Sequence, residues 1–520
     1  MNTNTTEINT EITAKPRSKR RIACCGCCTL PPVVTVIGVY LLMQNIPLRY
    51  PGVNNPISAP PTQISNMPAH WLSPYLGHTG SWDGKGGGMR GSNKIADMDR
   101  EIAMGLHWTF MPVYWRQMEP NGPTDPESTS TQPWNELDAF VIAAHDRGLN
   151  ILMQAPVVGG NGGGPPTWAG VRDLGKSAPK NMAAVAEFAK KLAARYKPGG
   201  TLASSLGWGT EYGVRAWELD NEPANYLTNW STQPGDYAEF VSKCAAAIKA
   251  VDPQAVVASP AVASGTAASG WLQNTLNPLG LQGSAAYHKS AIPYSIGPAS
   301  DAVSFHVYEG LDTAFAHKDR TIETVFTEIR AVFEANENRA PQFAYARKQE
   351  YWHTEGNFDF IGVLSQDRRA SWRFQFMTRA FAAGIRRVAV MDAASAEQAA
   401  EHAYTSILPD PFPMVRADSF ATTIRGKAVV FQHNDRGTGQ NGCVWILWAQ
   451  ADTGDAVVKI PLRYANAAIV DTRGNVRIVN ATNKTITVSL NEDAKMAPGL
   501  IIVDRPQLPR PTALEGSNPR

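Results

Sequence analysis

Apolar and polar positions along the chain alternate between a two-residue and a helical period from about Ser65 to Glu401. Seven strands are predicted between amphipathic helices, namely HWTFMPVYW, LNILMQAP, VRAWELD, AVVASPAV, DAVSFHVY, EYWHTEG and RRVAVMD. A further, first strand is expected within ISNMPAHWLSPYLG. Eight such units predict an α/β fold, a (β/α)8 TIM barrel over residues 65–405. A doubly wound open sheet is the main alternative.

The pattern changes after about residue 406, where the runs become short and rich in β-forming residues. They read KAVVFQHN, CVWILWAQ, AVVKIPL, AAIVDT, NVRIVN, TITVSL and GLIIVD, and turn signals such as RGN and NATN separate them. Residues 406–505 are therefore predicted to form a C-terminal all-β sandwich domain. Residues 506–520 are expected to be a disordered tail.

A basic segment precedes an apolar one near the start of the chain. Lys15–Arg21 reads KPRSKRR, and no charge follows from Ile22 until Arg49. About 22 such residues would span roughly 33 Å as a helix, enough for a bilayer core. We expect a cytoplasmic basic tail (1–21), a transmembrane signal anchor (22–46) and a linker (47–64), with the rest outside the cytoplasm. A cleaved signal peptide, and hence secretion, is the alternative.

Composition narrows the functional classes. Hydrophobic residues make up 43% and charged residues 18%, as in a globular protein with a core. The net charge is +2 and no basic stripe is present in the body of the chain, so nucleic acid is not an expected partner. The 14 Trp and 15 Tyr suit a ligand with apolar faces and polar edges, such as a sugar, although large cores use such rings too.

Two predicted strands end on a glutamate. WELDNEP carries the fourth strand directly into Asn221 and Glu222, and EYWHTEG ends the seventh strand at Glu355. The ends of barrel strands converge on one mouth, so these carboxylates are expected to meet. Strand alternation predicts that Tyr351 and His353 share a face with Glu355.

Two other strand ends should reach the same mouth. The sixth strand places His306 and Tyr308 on one face, and the second ends with Trp115 and Arg116. Arg116 and Tyr308 are candidate donors that would keep Glu355 ionised. Trp168, in a following loop, would either stack on a sugar or close that loop.

Two facing carboxylates are the equipment of glycoside hydrolysis, in which one acid protonates the leaving oxygen and the other attacks the anomeric carbon or activates water. Asn221 would hold a sugar hydroxyl, and Pro223 would stiffen the backbone after Glu222. The glycine-rich stretches DGKGGGMRG and GGNGGGPP lack the GK[ST] ending of phosphate loops. No HxH or HExxH pair is present. We therefore expect neither a cofactor nor a metal.

These motifs resemble those of the clan A glycoside hydrolases. WELDNEP is similar to their strand-four acid/base motif and WHTEG to their strand-seven nucleophile motif, within a resemblance that covers most of residues 108–392. The clan is also resembled by two further segments of the barrel, VYWRQMEPNG and PPTWA. The C-terminal domain resembles the sandwich of family 39 β-xylosidases and α-L-iduronidases in the run VDTRGNV…VSL…PGLIIV.

The resemblance implies a retaining double displacement with Glu222 as general acid/base and Glu355 as nucleophile. It also implies that Asn221 contacts the hydroxyl next to the anomeric carbon and that His306, Tyr308 and Arg116 lie at the rim. Two positions depart from the clan: Met391-Asp392 stands where many members carry a Trp, and Asp220 where some carry Trp or Gly.

The sequence thus predicts a glycosidase acting on a β-linked oligo- or polysaccharide outside the cytoplasm. A non-catalytic carbohydrate-binding barrel and a metal-dependent barrel hydrolase are the rival hypotheses.

Overall fold

A computed structural model describes most of the chain from Ile64 onward. The described residues are 64, 67, 69–78, 91–127, 132–159, 163–172, 178–224, 230, 234–263, 296–309, 321–339, 350–356, 365–391, 395–434, 442–450, 453–491 and 498–509. The predicted basic tail and anchor, and most of the predicted C-terminal tail, lie outside them. Within these ranges, no helix combines the length and the apolar character needed to cross a bilayer.

Seven parallel strands form the first sheet, and they correspond to predicted strands two to eight. They are β1 (Trp108–Tyr114), β2 (Asn150–Val157), β3 (Ala216–Glu218), β4 (Val256–Ala263), β5 (Ala302–His306), β6 (Glu350–Glu355) and β7 (Arg387–Val388). Their order in the sheet follows their order in the chain. This is the order of a barrel, because an open doubly wound sheet would reverse direction part of the way along.

The predicted first strand is present as a short paired segment. Tyr75 bridges Val388 in parallel, and hydrogen bonds of 3.0 and 2.9 Å join Leu76 N to Val388 O and Val388 N to Pro74 O. On its other side the segment meets β1 so closely that a Cβ on Gly77 would lie 2.0 Å from the Trp108 carbonyl oxygen. Residues 74–77 therefore run between β7 and β1, where the first strand of a (β/α)8 barrel belongs.

Helices follow the strands as the pattern predicts. They are α1 (Gly91–Ala103), α2 (Trp115–Met118), α3 (Gln132–Asp146), α4 (Met182–Tyr196), α5 (Thr201–Ser205), α6 (Pro234–Val251), α7 (Ile296–Ala299), α8 (Ile322–Arg339), α9 (Gln366–Ala383) and α10 (Ser395–Ile407). Side-chain caps fix some of their starts: Asn181 accepts from Ala184 N at 3.2 Å and Ser365 from Arg368 N at 3.4 Å. Gly384 ends α9 at a φ of 99°, in the left-handed region that glycine adopts most easily.

Two apolar clusters fill the barrel. The larger one packs the outward faces of the strands against the helices, with Trp217, Phe305 and Tyr351 among its members. The smaller one lies inside the barrel at the starts of the strands, where Trp108, Ala216, Ala302 and Trp352 point inward. Ile64 and Trp71 close this end, and the rings of Trp71 and Trp108 meet edge to face at 5.1 Å. The chain thus enters the barrel at the face opposite the strand ends that bear Glu222 and Glu355.

The C-terminal domain contains two antiparallel sheets. Its strands are β8 (Met414–Arg416), β9 (Thr422–Arg425), β10 (Ala428–Asn434), β11 (Cys443–Ala449), β12 (Ala456–Pro461), β13 (Asn466–Asp471), β14 (Val476–Asn480), β15 (Thr485–Leu490) and β16 (Leu500–Asp504). One sheet has the order β14-β13-β16-β11-β10-β8 and the other the order β15-β12-β9. All seven predicted runs are strands, and β8 and β9 are additional.

Candidate active site

The ends of β3, β5 and β6 bring Glu222, His306 and Glu355 together. His306 Nδ1 lies 3.0 Å from Glu222 Oε1 and 4.0 Å from Glu355 Oε1. One donor atom from each residue lies within 4.8 Å of the other two. The side chains of Glu222 and Glu355 are 14% and 21% exposed, whereas His306 is fully buried beneath them. Two partly exposed carboxyl groups therefore lie on either side of one buried histidine.

The segment after β3 has an unusual backbone. Asp220 and Glu222 have φ angles of 66° and 43°, in the left-handed region that side chains other than glycine rarely adopt. The buried Asp220 carboxylate holds this turn, because it accepts from Asn221 N at 2.8 Å and from Trp230 Nε1 at 2.7 Å. It also accepts from Gly159 N at 3.1 Å, which ties the turn to the end of β2. Such over-determined strain is typical of sites where one side chain must be held in place.

Burial raises the pKa of Asp220 to about 6, although its hydrogen bonds from Asn221, Gly159 and Trp230 oppose the shift. Asp220, a departure from the clan pattern, is therefore a structural residue in this chain: its carboxyl group organises the turn that presents Asn221 and Glu222.

Glu355 reaches the mouth through a change of register in β6. Phe305 pairs with His353 but His306 pairs with Glu355, so Thr354 is an extra residue on β6. Tyr351 and His353 face the helices, and the ring of His353 lies 4.8 Å from that of Phe376 in α9. The extra residue then turns Glu355 to the opposite face, toward the mouth. The prediction that Glu355 shares a face with Tyr351 and His353 was wrong, because strict alternation does not survive this bulge.

The next residue, Gly356, has no room for a side chain. A Cβ there would lie 2.2 Å from the Val307 carbonyl oxygen and 2.7 Å from His353 Nε2. His353 itself is a core residue, because Nδ1 contacts Ala389 O at 2.8 Å and Nε2 accepts from Val307 N at 3.2 Å. Burial lowers its pKa to about 3, so its ring is neutral.

The pKa of Glu355 is raised. Burial is the largest cause, and the negative charge of Glu222 adds to it, while His306 and the hydroxyl of Tyr308 oppose the shift. Two carboxyl groups this close disfavour each other's ionisation, so the Glu355 carboxyl group loses its proton at a higher pH than a separated glutamate would.

His306 is the positive group of the site. Burial lowers its pKa, but Glu355 and the hydrogen-bonded Glu222 outweigh this and raise the pKa to about 9. Its ring is therefore an imidazolium at neutral pH, and Nδ1–H donates to Glu222.

Tyr308 lies beside Glu355, as the alternation from His306 predicts. Its hydroxyl donates to Glu355 Oε1 and lies 3.5 Å from Sδ of Met391. Burial, together with the negative charge of Glu355, raises the pKa of Tyr308, so it stays a donor. Met391, which stands near the clan's Trp position, is thus in contact with this hydroxyl.

Asn221 is held by a polar residue that the sequence reasoning missed. Gln154 Nε2 in β2 donates to Asn221 Oδ1 at 3.1 Å and to Oε2 of the buried Glu218 at 2.9 Å. Gln154 is a polar residue that interrupts the apolar run ILMQAP, and this was the available signal.

The structure corrects the prediction for the end of β1. The strand ends at Tyr114, and α2 begins at once, so Trp115 turns into the core. Trp115 is fully buried, donates to Glu119 Oε2 at 2.9 Å and stacks on Phe188. Trp115 is therefore a packing residue and does not reach a substrate.

Arg116 is also displaced from its predicted place. It is exposed and donates to the Gly163 carbonyl oxygen at 2.6 Å, so it braces a loop instead of donating to Glu355. Trp168 donates to the Glu119 carbonyl oxygen at 2.7 Å and meets Trp115 edge to face. Of its two predicted roles, the structure favours closing the loop.

Tyr114 was missed, although it precedes Trp115 by one residue. Burial raises its pKa, and the charges of Glu355 and Asp220 raise it further, so Tyr114 lies within electrostatic reach of both.

The fold was compared with solved protein structures. A monomeric β-xylosidase from Caulobacter crescentus CB15 is similar over 86% of this chain and 98% of its own, with 14% identity and a TM-score of 0.51. A GH39 enzyme from Xanthomonas axonopodis pv. citri matches over 80% and 91%, with 12% identity and a TM-score of 0.47. Neither a protein-family model nor a curated protein matches the chain. The chain therefore has the same overall fold as the C. crescentus β-xylosidase.

Proposed function

We propose that this protein is a retaining glycoside hydrolase that cleaves β-linked oligo- or polysaccharides. The observation that carries the proposal is the approach of Glu222 and Glu355 across His306, with one oxygen of each carboxyl group within 4.8 Å of the other. Retaining enzymes hold their two carboxyl groups roughly 5–5.5 Å apart, while inverting enzymes need roughly 6.5–9.5 Å to admit a water.

In the first step the Glu355 carboxylate attacks the anomeric carbon, and Glu222 gives its proton to the departing glycosidic oxygen. The bond from the anomeric carbon to that oxygen breaks, and a glycosyl ester with Glu355 forms. In the second step Glu222 takes a proton from water, whose oxygen attacks the anomeric carbon and releases Glu355 as a carboxylate.

The electrostatics show that the two carboxyl groups are linked to each other and to His306. The mechanism needs one protonated and one ionised carboxyl group. The negative charge of Glu222 contributes to the raised pKa of Glu355, so the ionisation of each carboxyl group affects that of the other. Tyr308 donates to Glu355, which favours its ionised form. His306 bridges the two and compensates their negative charge.

A substitution of Glu355 by Ala tests the proposal. The wild-type protein is screened on aryl β-glycosides and β-linked polysaccharides, beginning with β-xylosides because the C. crescentus neighbour is a β-xylosidase. The anomeric configuration of the first product is followed by NMR. We expect retention for the wild type and loss of hydrolysis for Glu355→Ala. An inverted product, or unchanged hydrolysis by the variant, would refute the mechanism.

The substrate screen tests one rival hypothesis, and treatment with EDTA tests the other. A non-catalytic carbohydrate-binding barrel would bind glycans without hydrolysing any of them. The close donor set of Glu222, His306 and Glu355 is the observation that makes a metal-dependent hydrolase worth testing. Activity that is lost with EDTA and restored by a divalent cation would favour that rival. We expect EDTA to have no effect, because the imidazolium already supplies the positive charge between the carboxylates.

The location is part of the proposal. An anchor at residues 22–46, or a cleaved signal peptide there, would carry the barrel out of the cytoplasm, where polysaccharide substrates lie. Extraction of the full chain by detergent but not by alkaline carbonate, together with digestion by protease added outside intact cells, supports the anchored form.

A further inference from the structure

Polar side chains occupy the layer of the barrel interior directly beneath the carboxylate pair. In β3, Trp217 and Leu219 pack against the helices, whereas Ala216 belongs to the interior cluster. By strand alternation Glu218 points inward above Ala216, and Gln154 points inward above Leu152 on the neighbouring strand β2. Both side chains are buried, and Glu218 is fully so. A carboxylate in such a place requires hydrogen-bond partners.

Glu218 fixes the orientation of Asn221 through Gln154. A carboxylate only accepts hydrogen bonds, so the Gln154 group 2.9 Å from Glu218 Oε2 is the amide nitrogen. The second hydrogen of that nitrogen then meets an acceptor at 3.1 Å, which makes the contacting atom of Asn221 its oxygen. The Asn221 amide nitrogen is left as the group that can donate to a ligand.

The charge of Glu218 also acts on His306. Its Oε1 atom is buried without a hydrogen-bond partner among the described residues, and so are His306 Nε2 and the Thr354 hydroxyl. His306 Nδ1 is already used by Glu222, so Nε2 is its second donor. The negative charge of Glu218 favours the protonated ring. An acceptor and a donor that both need a partner thus lie under the same catalytic pair.

We propose that Glu218 is a positioning residue of the active site, which orients the Asn221 amide through Gln154 and supports the charged form of His306 from below. The inference deepens the proposed function and rests on it. Glu218 and Gln154 touch no substrate; they act through Asn221 and His306. The other groups that act on His306 are Glu222, Glu355 and the neighbouring ring of His353.

Two substitutions separate the two effects. Gln154→Met keeps the length of the side chain but removes the hydrogen bonds to Glu218 and Asn221. Glu218→Gln keeps the shape of the side chain but removes its charge. Because an amide can both donate and accept, the Gln154 amide is then no longer held in one of its two orientations. Glu350→Gln is the matched control, because it removes a carboxylate at the opposite end of the same barrel, where Glu350 contacts Trp352 and Arg387.

The first readout is the ratio of kcat/KM for the best aryl β-glycoside of the screen to that for its 2-deoxy counterpart. We expect Gln154→Met to lower kcat/KM about tenfold on the 2-hydroxy substrate and by about twofold or less on the 2-deoxy one. Glu218→Gln should lower the same ratio. The second readout is the NMR titration of His306 in protein labelled with 15N-histidine, where Glu218→Gln should shift the midpoint downward and Glu350→Gln should not.

The inference would be overturned by equal losses on both substrates together with an unmoved His306 titration in Glu218→Gln. If Glu218→Gln fails to fold, Gln154→Met alone decides whether the Asn221 amide is oriented in this way. The proposed function has its own signature of failure, which is hydrolysis that persists in Glu355→Ala. A protein that needs Glu355 but ignores both positioning substitutions would therefore refute this inference alone.

Discussion

His306 Nδ1 lies 3.0 Å from Glu222 Oε1, although the two residues are 84 positions apart in the chain. The contact joins the segments that follow β3 and end β5, at one end of the parallel sheet. Its consequence is electrostatic: an imidazolium between two glutamates lets them approach each other without an uncompensated pair of negative charges.

Replacing Glu222 by Ala should separate substrates by their leaving groups. If Glu222 protonates the departing oxygen, the variant should lose about 10²–10⁴-fold in kcat/KM on glycosides with poor leaving groups and far less on dinitrophenyl glycosides. Azide, which needs no general base, should restore turnover and give a β-glycosyl azide that NMR identifies. The same loss on both kinds of substrate, without rescue, would contradict the role of Glu222.

Replacing Tyr308 by Phe should move the acidic limb of the kcat/KM profile to higher pH. The Tyr308 hydroxyl lowers the pKa of Glu355, so its removal raises that pKa further, and the nucleophile ionises later as pH increases. At the optimum we expect a loss of about tenfold, which corresponds to one hydrogen bond to a charged group.

Tyr212→Phe is the matched control for Tyr308→Phe. Its hydroxyl bonds to the Leu149 carbonyl oxygen at 2.7 Å, at the beginning of β2, away from the carboxylates. An acidic limb that stays in place in Tyr308→Phe, or moves equally in Tyr212→Phe, would contradict the role of Tyr308.

The sequence predicted the elements and the pair of glutamates because both depend on local patterns. Strand periodicity gave β1 to β7, and the phrases NEP and TEG gave Glu222 and Glu355. The errors in the predicted side-chain directions occur where a strand ends or contains an extra residue. Trp115 turned inward because α2 follows β1 without a linker. Glu355 lies on the opposite face to Tyr351 and His353 because Thr354 shifts the register of β6.

Replacing Trp115 by Ala should affect stability and leave substrate binding alone. The side chain is fully buried against Phe188 and Trp168, so its truncation should cost about 3–5 kcal/mol in the free energy of unfolding. Urea denaturation measures that loss, and KM of the folded fraction should stay within about twofold of wild type. A raised KM at unchanged stability would restore Trp115 to the substrate site.

Replacing His78 by Gln should reduce stability in a pH-dependent manner. His78 Nε2 lies 3.0 Å from Glu401 Oε2, and both side chains are buried. Burial lowers the pKa of His78, but the charge of Glu401 outweighs burial and raises this pKa above 6.5. For Glu401 the effects are reversed: burial raises its pKa, but His78 and Arg373 outweigh burial and lower it below 4.5. The histidine therefore stabilises the fold fully below pH 6.5, and the glutamate above pH 4.5.

The difference in unfolding free energy between the wild type and His78→Gln should be largest between about pH 4.5 and 6.5. It should shrink as pH rises through the folded pKa of His78 or falls through that of Glu401. Denaturation series at several pH values measure it, and in a Glu401→Gln background the pH dependence should disappear. A difference that is constant from acidic to alkaline pH would exclude the ion pair as its cause.

Trp71 and Ile64 close the barrel at the pole opposite Glu222 and Glu355. A fusion partner or surface tether joined ahead of Ile64 would thus attach at the end of the barrel opposite the two glutamates. A protein immobilised in this way should expose the mouth of the barrel to bulk solvent. Long glycan chains should then reach the two glutamates without meeting the support.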